Sequence, residues 1–309
     1  MPIDLRALAL LSAGGPTYNL TASTIDFSTG RTTLASAVTT FASTGSVDAA
    51  CGAAHDATRG RFVVPEVGAL AELADTTGEV VARHTVASLA ATAGSFALAG
   101  SIYVWLTASE IAAYDLITGE AFTIASLNAT STPHRCVSAA NATAAFFATI
   151  QRDPTTGGVT NQMLIVDVAA RKLANVVTLD TTGLGGLQSL AFDGASGRLL
   201  ATTATQMESG YDPHSWRVSS VDAASGALSL ISYIDVANAS MWFHGGCGYT
   251  AGAGELFLFL AGRVDKSKRV LARVKLDTAT VDHVALDTSF SPAAAGGYQG
   301  PEWAAPAVA

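Results

Sequence analysis

Lysine is nearly absent from this chain. Only Lys172, Lys266, Lys268 and Lys275 occur, and charged residues of all kinds make up 14%. Long amphipathic helices need a wet face of Glu, Lys, Gln and Arg, and few segments here could supply one. Basic stripes are missing too, and the net charge is −8, so the attraction to phosphates that drives nucleic-acid binding is lacking. The most basic stretch, RVDKSKR (263–269), reads as a solvated hairpin loop. No apolar run nears the roughly 20 residues of a bilayer-spanning helix, so membrane insertion is not expected. At the N-terminus, MPIDLRALALLSAGG has Asp4 ahead of a short apolar run and no basic flank. It reads as a strand rather than a signal peptide.

Cysteine is scarce as well. Three residues, Cys51, Cys136 and Cys247, are too few and of the wrong parity for a disulfide framework. Familiar catalytic signatures are missing: there is no G-x-S-x-G elbow, no HExxH, and GLGG (183–186) lacks the lysine of a phosphate loop. Four of the six asparagines, Asn19, Asn128, Asn141 and Asn238, stand in N-x-S/T triplets. A chain rich in Ser and Thr makes such triplets by chance. They leave a secretory location open without requiring it, and the compartment is otherwise undetermined.

What is present is apolar and β-branched. Hydrophobic residues make up 49%, enough for a large core, and Thr and Val favour strands. A turn signature recurs with them: TIDFSTGRTTL (Asp26), LADTTGEVVA (Asp75), AYDLITGEAFTI (Asp115) and VDAASGALSL (Asp222). Degenerate copies stand at Asp167 and Asp277. In each, an Asp caps a turn and a Gly takes positive φ between two strands. Successive Asp positions lie 40 to 55 residues apart, and six units tile the chain. That is the size of a four-stranded propeller blade.

Between the Asp turns lie a second kind of hairpin, such as LQSLAFDGASGRLLATT (187–203). Its strands are named a and b here, and those flanking the Asp turn c and d. Strand a is small and Gly/Ala-rich, as an inner strand must be. The C-terminus offers an a-like segment, AAAGGYQGPEW (293–303), with no c–d hairpin after it. The N-terminus offers IDLRALALL, TYNLTASTIDF and RTTLASAVTTF as b, c and d with no a before them. The expectation is an all-β, six-bladed propeller forming one domain over 1–309, its last blade closed by one C-terminal and three N-terminal strands. The a–b hairpin LAFDGASGRLLATT followed by VSSVDAASGALSL resembles the blades of quinoprotein-like and YVTN-type β-propellers, at the level of blade pattern and over the whole chain. That resemblance implies the fold and no particular activity.

A site is expected at the mouth of the central channel, where the d–a and b–c connections gather. The cysteines fall in a-strands, with PHRC placing His134 two residues before Cys136 and FHGGC placing His244 three before Cys247. Imidazole and thiolate groups converging there could hold a metal or activate a nucleophile. His134, Cys136, His244 and Cys247 are thus the candidate catalytic or metal residues, set against a plain packing role for cysteine. No cofactor is strongly implied. The second candidate is a projecting rim for a protein partner, built from QRDPTTGG (151–158) and QMESGYDPHSW (206–216). Arg152, Glu208, Tyr211, Asp212, His214, Trp216 and Trp242 are its binding candidates, of types that protein interfaces favour. His55 and Asp56 read as turn residues, and His84 and His283 as exposed outer-strand residues. A non-catalytic binding protein engaging another protein is the leading reading. An enzyme with a His/Cys site and a carbohydrate or small-ligand module are the alternatives.

Overall fold

A computed structural model describes residues 4–14, 17–42, 52–89, 94–127, 131–153, 155–156, 158–182, 184–207, 210–235, 241–250, 254–262, 269–287 and 303–308. Every sheet in it is antiparallel, and there are six. Blade 1 comprises β5 (Ala54–Asp56), β6 (Arg61–Glu66), β7 (Ala69–Ala74) and β8 (Val80–Thr85). Blade 2 comprises β9 (Ser95–Ala99), β10 (Ile102–Leu106), β11 (Glu110–Asp115) and β12 (Ala121–Ser126). Blade 3 holds β13 (Ser131–Ala140), β14 (Ala144–Arg152), β15 (Val159–Asp167) and β16 (Lys172–Thr178). Blade 4 holds β17 (Leu184–Asp193), β18 (Arg198–Met207), β19 (Gly210–Val221) and β20 (Leu228–Asp235). Blade 5 holds β21 (Met241–Thr250), β22 (Glu255–Gly262), β23 (Arg269–Lys275) and β24 (Thr280–Ala285).

Blade 6 is shared between the termini. β25 (Trp303–Val308) pairs with β1 (Asp4–Gly14), β1 with β2 (Thr17–Asp26), and β2 with both β3 (Thr32–Leu34) and β4 (Thr39–Ala42). Strand d of this blade is therefore broken in two, where the sequence suggested one run. The closing strand also lies later than expected, beginning at Trp303; residues 293–302 fall outside the described set. The inner strands touch in the order β5, β9, β13, β17, β21, β25 and back to β5. A six-bladed ring closes on itself, leaving no open end of the stack.

The core lies between blades rather than within them. Phe41, Phe62, Leu8 and Leu20 join blades 6 and 1. Tyr103 and Trp105 meet Val63 and Leu70 between blades 1 and 2. Phe147, Leu164 and Val104 join blades 2 and 3; Phe146, Met163 and Leu199 join blades 3 and 4; Trp216, Ile234 and Leu258 join blades 4 and 5. At the remaining junction Phe27 meets Phe257 edge-on at 5.6 Å. Both faces of the b and c strands are thus buried, which is why β6, β10 and β14 read as continuous apolar runs.

The Asp turns close the lower ends of the blades. Asp26 accepts from Ser28 N and from the hydroxyls of Ser28 and Thr29, and Asp222 accepts from Ala224 N and Ser225 Oγ. The side-chain hydrogen bonds from Ser28 and Ser225 hold these carboxylates below their ordinary values. Blade 1 departs from the pattern. Gly78 N donates to Ala74 O, not to Asp75 O, so Ala74 stands where blades 2, 3, 4 and 6 have Asp and blade 5 has Lys275, and Asp75 is released for another partner.

The turn glycines do a second job that the repeat alone does not reveal. A Cβ on Gly226 would come within 1.9 Å of Thr178 O on blade 3, and one on Gly30 within 1.9 Å of Ala285 O on blade 5. Their own carbonyls accept from Asp180 N and Asp287 N. Each glycine therefore joins a blade to the one before it. Gly226→Ala combines φ of 78° with a backbone collision and should cost more than about 2 kcal/mol. Gly197→Ala, at φ 69° with nothing within 4 Å, should cost about 1 kcal/mol. Urea unfolding of the two variants measures the difference.

Candidate functional site

The chain direction fixes which face can carry a site. The a–b and c–d turns lie at the lower end, and the b–c turns and d–a connections lie at the upper end. Lower turns are tight and uniform, whereas upper ones vary. The β6–β7 and β10–β11 hairpins hold six and five paired positions, but β14–β15 holds nine. Four extra pairs raise the blade 3 hairpin about 13 Å above that of blade 2. β18–β19 and β1–β2 are long in the same way. Blades 1 and 2 are adjacent, so the upper rim has one broad notch beside a tall wall.

Along that wall, register breaks into large bulges. On β13, Pro133 pairs with Thr149 and Ser138 with Phe147, so His134–Val137 bulge out. On β21, Phe243 pairs with Leu260 and Gly248 with Leu258, so His244–Cys247 bulge out. The two bulges have the same length and the same place in their blades, and each opens on a histidine. The register thus matches His134 with His244. Cys136 is the third residue of its bulge and Cys247 the fourth, so the cysteines are not equivalent. A third bulge lies on β19, where Ala204 pairs with Trp216 but Gln206 with Tyr211. It contains Asp212, Pro213, His214 and Ser215. Proline inside a strand is tolerated at such a place.

The bulges sit on a polar layer. Ser95 Oγ on β9 donates to His134 O at 2.6 Å, and Ser138 Oγ donates to Phe96 O. Thr149 and Thr203 occupy matched positions on β14 and β18 and are buried. Their hydroxyls, with that of Ser189, have no hydrogen-bond partner among the described residues. Strand β21 lies against both β13 and β19, which brings the three bulged strands together on one side of the mouth.

The other candidates scatter. Arg152 is exposed at the tip of β14, paired with exposed Val159. Tyr211 lies near the tip of β19, and Trp242 pairs with Ala261 on β21. Glu208 and Cys51 lie outside the described residues. Trp216 is not a rim residue: it is 4% exposed and packs into the blade 4–5 core, because the bulge ahead of it sets it on the inner face. Among the described residues, no group of three His, Cys, Asp or Glu side chains is placed to hold a metal, and no helix is long and apolar enough to cross a membrane.

Blade 1 contains a charged cluster that sequence reading missed. Glu72, in mid-strand β7 and 2% exposed, accepts from Arg59 Nη1 at 3.1 Å, Arg61 Nη1 at 3.2 Å and His84 at 2.7 Å. Burial alone would push the Glu72 carboxyl up. The hydrogen bond from His84 and the two guanidiniums outweigh that and hold it below its ordinary value. His84 is therefore not the exposed outer residue expected. Nor is His55 a turn residue: it lies on β5, meets Asp75 at 3.0 Å and sits with its ring tilted 4.8 Å from that of Phe62. Burial lowers the pKa of His55, and the Asp75 hydrogen bond only partly opposes this. The cluster runs from Arg59 in the lower a–b turn up to His84, which pairs with Leu70 on β7. The signal was a Glu in an otherwise apolar c-strand, ALAELA.

Two stability changes follow. Glu72→Gln takes the carboxylate from Arg61 and His84 and one of the two that hold Arg59, the other being Asp56, and should cost about 3 kcal/mol by urea unfolding. His55 has a folded pKa below its ordinary value of 6.5, so the unfolded chain takes up its proton first as pH falls. Stability from His55 is full above about 6.5 and declines below it. The urea midpoint should drop between about pH 7.5 and about pH 5.5, and drop less in His55→Gln.

No described protein family matches this sequence, and no curated protein matches it either. Its likeness to known proteins is one of shape. A TolB-like protein of Agrobacterium tumefaciens superposes with a TM-score of 0.51 at 10% identity, over 92% of this chain and 88% of that one. Regucalcin, a calcium-binding protein of the same bacterium, gives 0.45 at 14% identity over 76% and 73%. Hydrazine synthase of Kuenenia stuttgartiensis gives 0.49 at 10% over 87% and 76%. At these identities the TolB-like likeness speaks for the fold alone: the chain is a β-propeller.

Proposed function

We propose that this protein is a binding module that engages a partner protein across the upper face of the ring. The unequal rim carries this reading. Two adjacent low blades beside a wall of long hairpins make a side-opening cradle, where equal hairpins would make a closed cup. Exposed apolar residues stand on both sides: Val67 in the low turn of blade 1 is 51% exposed and Val159 on the tall hairpin of blade 3 is 55% exposed. Long connections on a rigid scaffold are where binding concentrates. The low charge of the chain favours an interface held by shape and apolar contact over one steered by electrostatics.

The test is to trim the β14–β15 and β18–β19 hairpins to the height of β10–β11, then size the tagged proteins in extracts of the source cell. The intact protein should elute in a complex larger than its own 31.4 kDa, and the trimmed protein as a folded monomer. An intact protein that elutes alone, or a trimmed one that keeps its complex, overturns the reading.

A further inference from the structure

Blade 1 meets each of its neighbours beside a histidine–carboxylate pair. His84 and Glu72 face blade 2 through Tyr114. His55 and Asp75 face blade 6, the blade that both termini build. At this seam the His55 side chain is 7% exposed, lies against Phe62 of the blade 6–1 core and is bonded to the Asp75 carboxylate. Arg6, on β1 of blade 6, donates to Asp75 O at 3.4 Å, which sets a guanidinium across the seam from the imidazole. β5 itself holds the ring by little. Its three residues, Ala54–Asp56, make it the shortest inner strand among the described residues. The inner strands on either side of it, β9 and β25, read SFALA and WAAPAV and contain no titratable group. Asp56, on β5, is engaged by Thr58 and Arg59. Arg61 of β6 turns to Glu72, and Asp26 of blade 6 to its own turn.

We infer that His55 is a pH-sensitive latch on ring closure: a proton taken up there releases the seam between blades 6 and 1 while the other junctions of the ring stay closed. Nε2 faces Asp75, so the added proton goes to Nδ1, which has no carboxylate partner among the described residues. Burial and the nearby Arg6 oppose that proton, and together they outweigh Asp75 and Asp56, which favour it. An opened seam gives the imidazole water and moves it away from Arg6. The open form therefore takes up its proton near the ordinary value of 6.5, and the closed form only at lower pH. Acid selects the open seam and neutral pH the closed one. Charge is created at one junction, so the response is local opening before it is loss of the whole fold. The latch does not depend on the binding role proposed above.

Hydrogen exchange of the full chain tests this at about pH 7.5 and about pH 5.5, a range above the ordinary carboxylate values. Protection is expressed against the intrinsic exchange rate at each pH. The expected result is a loss of protection at the lower pH in β5, β6 and β1, with blade 4 unchanged. His55→Gln should remove this difference between the two pH values. Asp75→Asn takes away a carboxylate that favours the proton and should enlarge it. His283→Gln, on outer strand β24, should behave as the wild type. Wild-type protection that is lost evenly around the ring, or not lost at all, overturns the inference whether or not a variant folds. So does a seam response that survives His55→Gln or that vanishes with His283→Gln.

Discussion

Strand β25 on strand β1 is the contact on which the ring depends. A stack of four-stranded sheets has two open ends, and each end is an apolar face as well as an edge. Pairing Trp303–Val308 with Leu5–Ala9 makes the last blade from both ends of the chain. The first and last blades are thereby tethered, and the apolar face of each is covered. Because the core lies between blades, every blade needs a neighbour on both sides. Without closure, the junction of Phe27 with Phe257 would be missing and two blades would each expose a face.

The same logic explains the turn chemistry. A hairpin needs only a cap and a residue at positive φ. The Asp–Gly turns provide these, but at Gly30 and Gly226 the missing Cβ also lets one blade's turn press against the outer strand of the previous blade. Turn and interface are thus solved by one residue. Blade 1 solves its junctions differently. There the turn position is Ala74, Asp75 goes to His55, and Glu72 gathers Arg59, Arg61 and His84 beside Tyr114 of blade 2. Buried charges are costly unless several partners satisfy them. With three donors from its own blade around it, the buried Glu72 is satisfied, and His84 carries the cluster's contact to Tyr114 of blade 2.

The upper face is free of these constraints, because neither closure nor interblade packing fixes how far a b–c hairpin rises. The wall, the notch and the bulges are all variations there. This division of labour is general for propellers: repetition below and between, difference above. It places the candidate chemistry of this protein on the strands that depart most from the repeat.

Blade number, strand order and closure by both termini were legible in the sequence, because each follows from local features that recur: an Asp cap, a Gly at positive φ, apolar runs of strand length. The bounds of β25 and the split of strand d into β3 and β4 were not, since those depend on which residues find a partner on β1 and β2. The histidines and cysteines of the mouth could be named from their place in a-strands. Which of them correspond could not. The sequence put both kinds of residue on a-strands, but only the register matched His134 with His244 and left Cys136 and Cys247 unmatched, because bulges make distance along the chain a poor guide to position in a sheet. Trp216 looked like a rim aromatic beside Tyr211 until the bulge between them turned it into the core. Of the Glu72 cluster the sequence showed only a Glu in an apolar c-strand; its members come from three strands and a turn, and only packing brings them together. Local chemistry set the blades. Pairing across the ring decided which side chains meet.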